Sequence, residues 1–208
     1  MPRYRANLGW RRRSIFGALG LRRAAAQHSE AEGKLLRKFA AESQCTVEIG
    51  VAEGGSAWEA AQVMRPGGRL YLIDPYFRAR LPIMSPTEVV ARCLVRSVAR
   101  CDVHWIRQFS HLARPSWTMP IDFLFIDGDH SYDGVRKDWD DWTPLVREGG
   151  RVALHDAHPE ADWTEPDHGP VRLLEEVTHG GWQIVEHVDS LVVLERDVAA
   201  RDSRPSAA

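Results

Sequence analysis

The chain has few cysteines, no dominant charge and no long apolar run. Its three cysteines, Cys45, Cys93 and Cys101, are odd in number and lack metal-ligand spacing, which argues against a disulfide framework or a structural zinc site. A formal net charge of -2 provides no global field to gather a polyanion, so nucleic acid is not expected as a partner and a small-molecule substrate is. No stretch reaches the ~20 apolar residues of a membrane span, and there is no internal repeat or low-complexity block. What remains, 44% hydrophobic and 27% charged over 208 residues, is the balance of one globular domain with a single good core. A reducing cytoplasm is the expected compartment, and assembly into a homo-oligomer stays open.

Near the N-terminus, Arg11-Arg12-Arg13 precede the apolar run from Ile15 to Leu21, and Ala24-Ala25-Ala26 follow it, an arrangement that imitates an export signal. The run is short, and Arg22-Arg23 close it before the small residues, so the segment reads as a basic amphipathic helix. The expected organisation is a helical extension over 1–27, one globular domain over 28–198 and a flexible tail over 199–208.

After a helical lead-in from His28 to Glu42, strand-like runs alternate with helix-like stretches, the pattern of a doubly wound α/β sheet covered on both faces. Strands are expected at Thr46–Gly50, Arg69–Asp74, Val103–Phe109, Ile121–Ile126 and Arg151–Leu154. Ser56 with Glu59 predicts a capping box on the first helix of the sheet, and a second helix is expected over Pro86–Arg100. Val135, Trp139, Trp142 and Val146 share one face of a further helix that Pro144 kinks or ends. A last helix follows Pro170. Gln183–Val188 and Leu191–Glu195 are separated only by Asp189-Ser190, a link short enough for antiparallel strands alone.

The chemistry gathers in three places. Glu48-x-Gly50-x-x-x-Gly54-Gly55 lies between a first strand and a first helix, where glycines let a ligand approach the backbone. Its spacing departs from the G-x-G-x-x-G of dinucleotide sites. Asp74, ending the second strand, stands where a carboxylate binds ribose hydroxyls. Strand four runs into Asp127-Gly128-Asp129-His130, and strand five into His155-Asp156, so both clusters belong at the carboxyl edge of the sheet, where such folds bind ligands. Asp127 and Asp156 are hard oxygen donors suited to magnesium or manganese, and His155 is a softer third ligand that leans towards a transition metal. Neighbouring residues of a strand face opposite ways, so His155 and Asp156 can act together only if the strand has already ended.

These motifs together resemble class I S-adenosylmethionine (SAM)-dependent methyltransferases over roughly Val47 to Glu195: Glu48-x-Gly50-x-x-x-Gly54 is similar to their first motif, Asp74 to their ribose-binding acid, and the hairpin to their antiparallel last strand. The resemblance implies a seven-stranded sheet. It also implies cofactor contacts at Glu48, Gly50, Val51, Gly54, Ser56, Asp74 and Asp127, with Phe109 and Ser110 beside the adenine. Phe125-Ile126-Asp127-Gly128-Asp129-His130-Ser131-Tyr132 followed by Leu154-His155-Asp156 is similar to the metal-dependent O-methyltransferases of sugars and other natural products. By that resemblance Asp127 and Asp156 hold a divalent metal and His130 acts as base. His155 stands where that branch has an acid.

The expected reaction is methyl transfer from SAM to a hydroxyl of a small molecule in secondary metabolism. A positioned base then has to take the hydroxyl proton, and His130, with an ordinary pKa of about 6.5, suits neutral pH. Two other enzymes remain: one without metal, in which His130 alone is the base, and a nicotinamide-dependent oxidoreductase, which the glycine spacing and hairpin disfavour. A binding protein that keeps the loop without catalysis is a further alternative. Asp162 and His168 fall in a Pro-rich loop from Pro159 to Pro170, with His158 just before it; the loop is placed to cover a substrate, but a solvated loop is the expectation for each residue. Trp58, Trp105, Trp117, Trp163 and Trp182 are expected in the core.

Overall fold

The computed structural model describes residues 27–76, 85–161, 164 and 167–196. The expected N-terminal helix, the tail, Asp162 and Trp163 lie outside these. The described elements are α1 (Glu30–Glu42), β1 (Cys45–Ile49), α2 (Gly55–Ala61), β2 (Arg69–Ile73), α3 (Pro86–Arg96), β3 (Asp102–Ile106), α4 (Ser110–Ala113), β4 (Ile121–Ile126), α5 (Tyr132–Trp142), β5 (Val146–Leu154), α6 (Gly169–His179), β6 (Trp182–Val188) and β7 (Leu191–Arg196). Short 3-10 turns cover Arg114–Ser116 and Thr143–Leu145. None of the described helices is long and apolar enough to cross a membrane.

The strands form one seven-stranded sheet in the order β3-β2-β1-β4-β5-β7-β6. The first five run parallel, and β7 is antiparallel to both β5 and β6. This is the doubly wound, Rossmann-like architecture with a reversed strand that the hairpin spacing predicts. Strand alternation divides the core in two. Cys45, Val47, Ile49, Leu124, Ile126, Val152 and Leu154 face Val135, Trp139 and Trp142 of α5 and Leu173, Leu174 and Val177 of α6. Leu70, Leu72, Phe123, Phe125 and Ala153 face α1, α2 and α3 through Leu36, Phe39, Ala57, Ala61 and Ala91. Trp142 is fully buried and meets Trp117 edge-on, while Trp139 meets Trp182. Removing such a ring costs roughly 3–5 kcal/mol. Trp117 and Trp182 are thus core, as expected, whereas Trp58 and Trp105 are only half-buried.

Five local expectations are corrected. The first helix of the sheet has no capping box: its N-cap is Gly54, in the left-handed region at φ 82, and Ser56 turns inward instead. Val146 leaves the α5 face, because α5 stops at Trp142 before the 3-10 turn that holds Pro144, which lacks the N–H needed to continue a helix. Val146 opens β5 opposite Ile121, and the strand passes through Gly149-Gly150 with a shift of register rather than starting at Arg151. β3 ends at Ile106, and α3 ends at Arg96; in both, the turn begins a few residues before the apolar pattern runs out.

Candidate active site

The chain reverses its winding between β1 and β4, and the carboxyl ends of these strands form the crevice where open sheets bind ligands. Backbone bonds join the crevice walls: Gly50 N–H donates to Ile73 O at 2.9 Å, and Asp127 N–H donates to Ile49 O at 2.8 Å. Gly50 has φ 86, and a Cβ there would lie 2.0 Å from the carbonyl oxygen of Asp127, so only glycine fits. A Cβ on Gly54 would lie 3.0 Å from the backbone of Ala91 on α3.

Asp74 holds this loop in shape. Its Oδ2 accepts from the amides of Val51 and Ala52, both at 3.0 Å, and its Oδ1 accepts from Tyr76 N–H at 2.7 Å. Glu48 points from β1 towards α2 and is 2% exposed, with the Ser56 hydroxyl donating to it. Burial pushes its carboxyl up to about 8, the Ser56 bond offsets part of that, and the charges of Asp127 and Asp74 add to the rise. A cleft of about 230 Å³ opens beside the loop, lined by Gln27, His28, Val51, Ala52, Glu53, Gly55, Ser56 and Asp127. Its acidic lining suits a ligand that carries positive charge. Another hollow, of about 350 Å³ around Val146–Gly150, Trp182 and Arg196, is at the opposite edge of the sheet, away from these groups.

Phe109 and Ser110 are outside that lining. Phe109 is the N-cap of α4 and 46% exposed, whereas the Ser110 hydroxyl donates to Asp138 of α5. Burial raises Asp138 to about 6, against the opposing effect of that bond.

Strands β4 and β5 deliver the second cluster. β5 ends at Leu154, and Asp156 takes a left-handed φ of 50, so His155 and Asp156 lie in a turn and are free of strand alternation. His155 Nδ1 is 3.2 Å from Asp127 Oδ1 and 3.5 Å from Asp156 Oδ1. His130 Nε2 is 3.1 Å from Asp127 Oδ1, and its Nδ1 is 3.4 Å from Asp156 Oδ2. The loop that carries His130 is pinned by its neighbours: Asp129 accepts from Ser131 N–H, and the Ser131 hydroxyl caps α5 through Gly134 N–H. Burial alone would depress both histidines. The carboxylates of Asp127 and Asp156 reverse this, raising His130 above 6.5 and His155 well above it. Burial would likewise raise Asp127, and the two histidines lower it instead. The four residues predicted for chemistry therefore meet in one place.

Three groups that sequence reasoning did not assign to the site join it. His168 stacks edge-on against His130 at 5.2 Å, and His130, Asp156 and His168 bring one donor atom each within 4.8 Å of one another. Glu32 of α1 reaches His155 with Oε2 3.6 Å from Nε2. The Ser190 hydroxyl lies 2.7 Å from Glu32 Oε1 and 2.9 Å from Asp156 Oδ1. Ser29-x-x-Glu32 signals a capping box, which α1 does form, but that motif says nothing of a histidine more than a hundred residues away.

Residues 47–157, more than half of the chain, match the family described as a methyltransferase domain, and the chain belongs to that family. Family and fold together make it a class I SAM-dependent methyltransferase. It is similar to the cofactor-bound Rv0187 protein from MTB, at 20% identity and TM-score 0.65 over 91% of this chain and 90% of the other. It is also similar to the O-methyltransferase TomG of Streptomyces achromogenes, involved in tomaymycin synthesis and solved with SAM, at 20% identity and TM-score 0.62 over 92% and 91% of the two chains. A Bacillus cereus O-methyltransferase solved with SAH matches at 16% identity and TM-score 0.62 over 94% and 93%. At such identities the likeness establishes the fold.

Proposed function

We propose that this methyltransferase acts on a hydroxyl of a small molecule, with a divalent metal at Asp127, His155 and Asp156 and with His130 as the base. One observation carries the reading: two carboxylates and two imidazoles from the ends of β4 and β5 converge beside the glycine loop, each imidazole within 3.1–3.5 Å of both carboxylates. The O-methyltransferases of similar fold, TomG among them, support the choice of oxygen.

The donor set fits a metal. His155 is 5% exposed, and neither of its ring nitrogens makes an aligned hydrogen bond, although carboxylate oxygens surround both. A bound divalent ion supplies Lewis acidity, which lowers the pKa of an acceptor hydroxyl.

The protein's own residues do the remaining work. Gly50 and Gly54 let SAM approach the backbone, and Asp74 keeps the loop in that shape while presenting its carboxylate to the ribose. Glu48 and Ser56 form the floor beside the loop, and Phe109 and Ser110 flank the adenine. Transfer of a methyl group is an in-line displacement, so alignment of the acceptor is the protein's main contribution. Asp127 and Asp156 hold the His130 ring from both sides, fixing where its nitrogens point, and His130 takes the hydroxyl proton.

The test is transfer of labelled methyl from SAM to a panel of hydroxylated small molecules, with and without chelator, each product being located by mass spectrometry. Methyl on oxygen, lost on chelation and restored by metal, is expected. Methyl on nitrogen or carbon would refute the hydroxyl reading, and full activity in protein shown metal-free by elemental analysis would leave His130 as the sole activator.

A further inference from the structure

Glu32 belongs to none of the site motifs legible in the sequence, yet it is 1% exposed and faces His155. A buried carboxylate is costly unless hydrogen-bonded. Here Oε2 accepts from Ser29 N–H at 2.7 Å, and Oε1 accepts from Ser190 N–H at 3.0 Å with the Ser190 hydroxyl at 2.7 Å. The remaining neighbour of Oε2 is His155 Nε2 at 3.6 Å.

The two nitrogens of His155 face different surroundings. Nε2 faces Glu32, and Nδ1 faces the oxygens of both Asp127 and Asp156. A neutral imidazole has one donor and one acceptor. With the N–H directed at Glu32, Nδ1 faces Asp127 Oδ1 at 3.2 Å and Asp156 Oδ1 at 3.5 Å, oxygens that His130 Nε2 and the Ser190 hydroxyl also approach. Nδ1 can meet these oxygens only through positive charge, either a proton of its own or, as in a cation site, a metal ion that replaces that proton.

We propose that Glu32 is the outer carboxylate of that site, holding His155 in the Nε2–H form so that Nδ1 becomes a ligand, and that the resulting nitrogen-containing set selects a divalent transition metal over magnesium. The proposal rests on the reading that Asp127 and Asp156 hold a divalent cation. Imidazole favours transition metals, whereas all-oxygen sets suit magnesium, and a carboxylate behind a ligating histidine fixes its tautomer and raises its basicity. Ser190 ties Glu32 to Asp156, so α1, the β6–β7 turn and one ligand, Asp156, form one hydrogen-bonded unit beside His155. A merely structural Glu32, serving only the capping box of α1, would leave metal choice untouched.

The experiment uses the full chain stripped of metal, titrated calorimetrically with Co²⁺ and with Mg²⁺, and the Co²⁺ form observed by proton NMR in water. Wild type is expected to bind Co²⁺ at least about tenfold more tightly than Mg²⁺ and to show a strongly shifted, exchangeable imidazole N–H signal that His155→Gln abolishes. Glu32→Gln, which keeps the shape of the side chain, should weaken Co²⁺ by about 10–100-fold, with Mg²⁺ affinity within about threefold of wild type. Should Glu32→Gln fail to fold, Ser190→Ala is expected to weaken Co²⁺ in the same direction by a smaller factor. Wild type that binds neither ion would overturn the divalent-metal reading as a whole. Co²⁺ binding without the exchangeable signal, or insensitive to Glu32 and His155 but lost in His168→Ala, would overturn this proposal alone and move the metal to His130, Asp156 and His168.

Discussion

Replacing Glu48 by glutamine should flatten a pH dependence that the wild-type protein carries on its first strand. The carboxyl is buried on the α1–α3 face of the sheet and raised from an ordinary 4.5 to about 8. In the unfolded chain it ionises near pH 4.5, and in the folded chain only near 8. Between these values the unfolded state binds fewer protons, so folding stability is fully present below about pH 4.5 and is lost as the pH rises towards 8. At about 1.4 kcal/mol per pH unit, the whole loss is about 5 kcal/mol for a group kept from solvent throughout. Glutamine keeps the shape and can still accept from Ser56, but it has no proton to lose. Urea unfolding of the ligand-free protein at pH 5, 6, 7 and 8 measures this: the difference between variant and wild type should move by several kcal/mol in favour of the variant across the series. His130 and His155 titrate in both proteins and largely cancel in the difference. Parallel stability curves for the two proteins would refute the reasoning and mean that Glu48 is already charged at pH 5.

Asp74→Ala should cost about 1.5–3 kcal/mol of stability in addition to weakening SAM binding, because three backbone N–H groups lose their charged acceptor; thermal melts with calorimetric SAM titration check both. Gly50→Ala should destabilise by at least about 3 kcal/mol or prevent folding, since its Cβ would overlap the Asp127 carbonyl and its φ is left-handed; a melt close to wild type would contradict this. His130→Ala is expected to lower kcat 10²- to 10⁴-fold while SAM affinity stays within about twofold, with partial rescue by added imidazole, as steady-state kinetics on a competent acceptor will show. Asp127→Asn and Asp156→Asn should each reproduce the effect of chelation on methyl transfer, measured alongside the metal content of the purified variants.

Much of this protein was legible in its sequence, for local reasons. Gly50 and Gly54 announce a loop that requires left-handed backbone, the two residues between β6 and β7 permit only an antiparallel pair, and Asp127 ends a strand too apolar to tolerate an unused acid. Each signal depends on a few consecutive residues and survives without knowledge of the rest. The misplaced details have equally local causes: Ser56 and Glu59 carry a capping pattern, but a left-handed Gly54 takes the cap and Glu48 takes the serine; Val146 continues a helical period that Pro144 had already ended. What only the tertiary structure decided is which polar groups meet. Whether His155 and Asp156 can act together depended on β5 stopping at Leu154 and on the left-handed turn at Asp156. Asp74 proved to hold the loop amides because Val51, Ala52 and Tyr76 fold back over it. Glu32 and Ser190 entered the site because α1 and the β6–β7 turn pack beside the end of β5, bringing together residues 158 apart in the chain. Burial turns such encounters into chemistry, since a carboxylate or imidazole removed from water must find a partner, and the partner is set by the packing of the whole domain rather than by its neighbours in sequence.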